Sequence, residues 1–165
     1  MILVLLPLLL LTGACAHAPA RDPAVAQDLL EYVDKIKKWE PVEAQVLGAI
    51  RDVRRSQYVD DDYVIATLSE VMDDVELHRE EIRRYQPRTQ LVIGVHKRYR
   101  TAWKDLQDSF ATIIAAMQQK DYMRLSHGTD AMARSRGELI TVAAELSRLL
   151  EETGLERAPG KAAAS

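Results

Sequence analysis

Between residues 60 and 85 the chain places Val64, Leu68, Val71, Val75, His78, Ile82 and Tyr85 at spacings that alternate four and three. That alternation puts all seven on one stripe of an α-helix and leaves the remaining faces to charged residues. One helix cannot bury its own stripe. The spacing therefore predicts packing against neighbouring helices along a heptad-like seam. Asp60, Asp61 and Asp62 suit the positive end of the helix dipole, and Arg79, Arg83 and Arg84 suit the negative end. The three aspartates do not form a calcium loop, which alternates its ligands and needs a glycine turn and a distal glutamate.

The flanking segments keep the same period. From about Pro23 to Ser56, Val25, Leu29, Val33, Ile36, Val46, Ile50 and Val53 stay in helical phase, and Asp22-Pro23 reads as an N-cap followed by a first-turn proline. Pro41 removes a backbone donor and restricts Glu40, so the first helix is expected to be kinked or broken near Pro41, with Trp39 as a large core plug beside the bend. Gln86-Pro87-Arg88-Thr89 forms a turn. A third helix runs to about Gln119 with Val92, Val95, Tyr99, Ala102, Leu106, Phe110, Ile113 and Met117 on its stripe. Asp121 caps a fourth, striped by Leu125, Met132, Leu139, Val142, Leu146 and Leu149 and stopped by Thr153-Gly154. The few residues between helices three and four make them antiparallel neighbours. No alternating strand pattern of useful length occurs. The reading is all-α: an up-down-up-down four-helix bundle over residues 23–154. Gly48, Gly94, Gly128 and Gly137 fall inside the helices, where they suit close contact or local bending.

The beginning of the chain gives an address. Residues 2–11 read ILVLLPLLLL, and the small residues after them lead to Cys15, the one cysteine present. This run is shorter than the roughly 20 apolar residues a membrane span needs, contains Pro7, and has the form of a secretory signal. Its ending, Leu11-Thr12-Gly13-Ala14-Cys15, resembles a bacterial lipobox. The resemblance covers only the beginning of the chain. It implies that residues 1–14 are a removed signal peptide, that Cys15 is acylated and becomes the new N-terminus, and that residues 15–22 are a short tether to the membrane. Ala16 leans towards the outer membrane. The other reading of Cys15 is a plain thiol behind an ordinary cleaved signal. With one cysteine there is no intrachain disulfide, no CxxC redox pair and no CxxCH haem attachment. Residues 155–165 read as a disordered tail.

Few side chains suggest chemistry. His78 stands on the apolar seam with Asp74 one turn before it and Glu81 after it, a pattern open to a metal or haem ligand, a proton switch or an ordinary structural histidine. His127 with Asp130 is a weaker pair, and Met72, Met117, Met123 and Met132 sit where methionine usually fills a core. The paired Glu-x-x-His motifs of di-iron bundles are missing. The most basic stretch, Lys97, Arg98, Arg100 and Lys104 around Trp103, is a candidate patch for an anionic partner. A competing expectation is charge pairing between helices two and three. Residues 60–85 carry nine Asp/Glu against three Arg, and residues 88–120 carry six Lys/Arg against two Asp. The net charge of −3 gives no global attraction to nucleic acid. Catalytic motifs, phosphate loops and metalloprotease signatures are not found, and no cofactor is expected. The sequence thus points to a membrane-anchored periplasmic bundle of non-catalytic, protein-interaction or scaffold type, lipid-anchored in the cell envelope. The alternative is a ligand-binding bundle that holds a metal, haem or small amphiphile through His78.

Overall fold

The structure, a computed structural model, describes residues 22–55 and 60–155, with side chains for all of these except 52–55. The expected signal peptide, Cys15 and nearly all of its tether, Ser56–Val59, the Val53 side chain and the tail beyond Leu155 lie outside the described residues. Four helices follow in order: α1 (Pro23–Arg55), α2 (Asp61–Arg84), α3 (Gln90–Gln119) and α4 (Tyr122–Glu152). They form the expected bundle, and no strand occurs among the described residues.

α3 is its axis. It packs most extensively on α4, next on α2, and also touches α1, whereas α2 and α4 do not approach each other. Serving two neighbours requires burial on more than one stripe. His96, Trp103, Ser109 and Ala116 are buried beside the expected Val92, Val95, Tyr99, Ala102, Leu106, Phe110 and Ile113. α2 needs only one face, and it buries Val64, Leu68, Val71, Val75, His78 and Ile82, as the spacing predicts.

The helix ends follow local chemistry. The Asp22 carboxylate accepts from Ala24 N at 2.9 Å, Asp60 accepts from Asp62 N, and Asp121 accepts from Arg124 N at 3.0 Å. α3 ends at Lys120, which adopts the left-handed conformation at φ 54° and turns the chain directly into α4. α4 ends at Gly154 with φ 68°, where Leu155 N reaches back to Leu150 O at 2.9 Å. The Leu155 side chain packs on the core and so belongs to the folded body.

Two expectations are narrowed or change. Of the kink or break expected in α1, the break does not occur: the helix runs continuously through Pro41. Buried anchors lie on both sides of the proline, Trp39 before it and Val46 and Ile50 after it, so packing holds the helix together across the missing hydrogen bond. Charge pairing between α2 and α3 does not form either. Among the described residues no salt bridge joins these helices. Arg98 pairs instead with Glu138 and Glu145 of α4, and Arg88 pairs with Asp28 and Glu31 of α1.

The glycines separate into two kinds. A Cβ added at Gly128 would lie 2.8 Å from Ile113 Cγ1 and 3.3 Å from Ile113 N, so Gly128 lets α4 come close to α3. Gly94 and Gly137 face open space. Gly94→Ala and Gly137→Ala are expected to stabilise the bundle by about 0.5–1 kcal/mol each through helix propensity. Gly128→Ala is expected to destabilise it by about 1–3 kcal/mol, because overpacking exceeds that gain. Urea unfolding of the three variants checks the division; equal stabilisation by all three would contradict the close contact.

Candidate functional site

His78 is 2% exposed and sits in a group of rings contributed by α1, α2 and α3. The Trp103 ring lies 4.3 Å from it edge-on and the Trp39 ring 5.4 Å away, while Trp39 and Tyr99 stack at 5.9 Å. Two of these rings give their polar hydrogen to a carboxylate. Trp39 Nε1 donates to Glu81 Oε2 at 2.8 Å, and the Tyr99 hydroxyl donates to Glu43. His78 Nε2 lies 3.3 Å from the same hydroxyl. Because Tyr99 gives its proton to Glu43, the consistent tautomer has His78 donating from Nε2, which leaves Nδ1 without a partner.

Burial sets the protonation states. It pushes His78 down to about 4, against the pull of the Glu81 carboxylate. It pushes the Tyr99 phenol far up, with the Glu43 charge adding to the effect. The Glu43 carboxyl is raised by burial and by Glu40, while the Tyr99 hydrogen bond acts in the opposite direction. At neutral pH His78 is therefore a neutral ring. Asp74 does not orient it: that carboxylate accepts from Gln45 Nε2 at 2.8 Å and ties α2 to α1. Among the described residues no three His, Cys, Asp or Glu side chains gather into a metal-holding group. Met132 is buried, and Met72 and Met117 pack against the core, as fillers do, whereas Met123 is exposed and fills no core.

A second ring group lies at the α2–α3 turn. His96 is 4% exposed and meets Tyr32 and Tyr85 at 5.5 and 5.7 Å, with its Nδ1 3.3 Å from the Tyr32 hydroxyl. Burial and then the Arg100 guanidinium push His96 down to about 4. Beside this group lies a feature that sequence reasoning missed. Asp28 of α1 is 1% exposed and accepts from Arg88 N at 3.0 Å, and from Thr89 N and Thr89 Oγ1 at 2.7 Å each. One carboxylate thereby holds the turn and supplies a negative charge at the start of α3. Its signal in the sequence was an acidic residue inside an apolar stripe, between Val25, Leu29 and Tyr32.

The candidate basic residues divide between two sides of α3. Arg98 faces α4. Lys97, Arg100 and Lys104 instead line a groove of about 610 Å³ between α2 and α3, together with Arg79 and Arg83. Glu76 and Glu80 are the carboxylates in that lining. Arg79 donates to Gln107, Arg83 pairs with Glu80 and Lys104 pairs with Asp108, whereas Lys97 and Arg100 form no ion pair among the described residues. Trp103 and His96 form part of the groove wall, and the buried Trp103 Nε1 has no acceptor at bonding geometry. Between α1 and α4 there is a smaller apolar crevice of about 170 Å³, with exposed Leu47 and Ile140 at its edges and Tyr99 and Glu43 in its wall. His78 lines neither opening. His127 is exposed in a shallow depression between α3 and α4.

Family models, curated proteins and solved structures give no match to this chain. Its functional reading rests on this geometry and on the sequence.

Asp28 gives a test of the clamp. Burial acts to raise its carboxyl, and the Thr89 and Arg88 hydrogen bonds and the Arg88 charge outweigh it, leaving the group below its usual 3.8. A depressed carboxylate stabilises the fold above its unfolded value and loses that contribution as pH falls through the folded value. Asp28→Ala is expected to cost about 2–4 kcal/mol at neutral pH, with the deficit shrinking below the usual carboxylate range. Chemical denaturation of both forms across acid pH measures it; a deficit independent of pH would show that packing alone was lost.

Proposed function

We propose that this chain is a lipid-anchored protein of the bacterial cell envelope that works through protein contact, as a scaffold, adaptor or assembly factor, without catalysis. In this reading residues 1–14 are the removed signal peptide. Cys15 carries the acyl chains, palmitate among them, and residues 15–22 hold the bundle against the periplasmic side of a membrane, the outer one by the lean of Ala16. Nucleic acid is not a partner, in keeping with a net charge of −3.

The observation that carries the reading is where unpaired charge and exposed apolar area lie. His78 opens on neither the groove nor the crevice, and each buried histidine keeps one ring nitrogen beside a neighbouring hydroxyl. Unpaired charge and apolar area lie outside, along the α2/α3 groove and at the α1/α4 edge. Among the described residues no helix is long and apolar enough to cross a membrane, so attachment in this reading depends on Cys15.

The α1/α4 crevice favours a second reading, a carrier of a small amphiphile. Its wall is apolar, and the Glu43–Tyr99 pair offers one polar contact for a headgroup. His78, the ligand expected from sequence for such a role, lies one layer of side chains behind Tyr99 and Trp103.

Native intact mass of the protein, extracted gently from its own membranes, tests both. The expected result is loss of residues 1–14, acyl mass on Cys15 and no other bound species. A retained small molecule would favour the carrier, and an unmodified Cys15 would remove the anchor.

A further inference from the structure

We propose that the groove between α2 and α3 binds the phosphate-bearing headgroups of anionic lipids in the membrane to which the chain is anchored. This rests on the anchored reading, which decides which end of the bundle meets the bilayer.

The fold fixes the end in question. Asp28, barely one and a half turns into α1, bonds Arg88 and Thr89, so the start of α1 and the α2–α3 turn lie together. The groove opens at that turn, where Tyr85, Gln86 and Pro87 line it. A tether ending at Asp22 therefore delivers the mouth of the groove to the membrane surface. The opposite end, with Lys120 and Asp121 between α3 and α4, is held away by the length of the helices.

The chemistry at the near end suits a layer of phosphates. Arg83, Lys97 and Arg100 flank the groove, and Lys97 and Arg100 form no ion pair among the described residues. Arg84 is exposed beside them, with only a marginal contact to Glu80 at 4.0 Å. Leu91 and Ile93 are exposed on the first turn of α3 and Leu30 near the start of α1, giving the mixture of apolar and basic side chains that settles at a headgroup boundary. Acidic residues of α2 do not cancel the field: the groove wall carries Arg79, Arg83, Lys97, Arg100 and Lys104 against Glu76 and Glu80.

Amine labelling of the full chain on vesicles tests the assignment, with Lys97 as reporter and Lys120, exposed at the far end, as internal reference. Vesicles of phosphatidylcholine alone are compared with vesicles that also contain phosphatidylglycerol. The expected result is protection of Lys97 relative to Lys120 on the anionic vesicles only, lost in the doubly reversed variant R83E/R100E, whose helical circular dichroism is checked in parallel. Equal labelling of the two lysines on both vesicle types, for a chain shown by mass to be acylated, would overturn the groove and leave the anchor standing. Protection by inorganic phosphate on neutral vesicles, equal to that on anionic ones, would overturn the lipid source. If the chain proves unacylated yet shows anionic-only protection, the groove is supported and the anchored reading fails.

Discussion

A buried polar atom without a partner costs about 1–3 kcal/mol, so the polar groups that α1 carries inward, Asp28, Trp39 and Glu43, must meet partners on its neighbours. That requirement places α1. Its backbone makes few approaches to α3 and α4, so its position depends on what it carries inward. Trp39 donates to Glu81 on α2, Glu43 accepts from Tyr99 on α3, and Asp28 holds the turn between them. Three polar contacts spread along one face fix α1 in register and carry it through Pro41, where its own hydrogen-bond ladder is interrupted.

Much of this was readable in the sequence because amphipathic period is a local property. The α2 stripe is buried as spaced, and the α3 and α4 stripes are buried or packed against the core. Partner choice is not local. The charge balance of α2 against α3 suggested pairing, but a count of charges ignores direction: Asp61, Asp62, Glu70, Asp73 and Glu76 face solvent, and Arg98 turns towards α4. Asp74, in helical register with His78, serves α1 through Gln45. Pro41 was read by its local cost, and packing on both sides outweighs that cost. Asp28 was passed over because a lone acid in an apolar stripe reads as noise until the turn it clamps is known.

The same geometry gives the bundle two unlike ends. At one lie the start of α1, the α2–α3 turn and the close of α4, together with the mouth of the basic groove; at the other lies the tight Lys120–Asp121 connection. A chain attached to a surface through its N-terminus would present the first end to that surface and the long helical flanks to other proteins. A polarised shape of this kind suits an adaptor, in which attachment and contact use different faces. His78 opens on neither the groove nor the α1/α4 crevice and serves the packing between them.

The ring cluster around His78 is a closed structural unit, with His78 buried and opening on neither the groove nor the crevice. Titration of the histidine ring signals by nuclear magnetic resonance addresses it most directly. The account predicts that His78 and His96 keep the neutral imidazole form until the pH approaches about 4, below the usual 6.5, with stability falling across that interval as the unfolded chain takes up protons that the folded one refuses. Titration of His78 near 6.5 with the fold intact would mean that water or a ligand reaches the cluster, and would contradict the account.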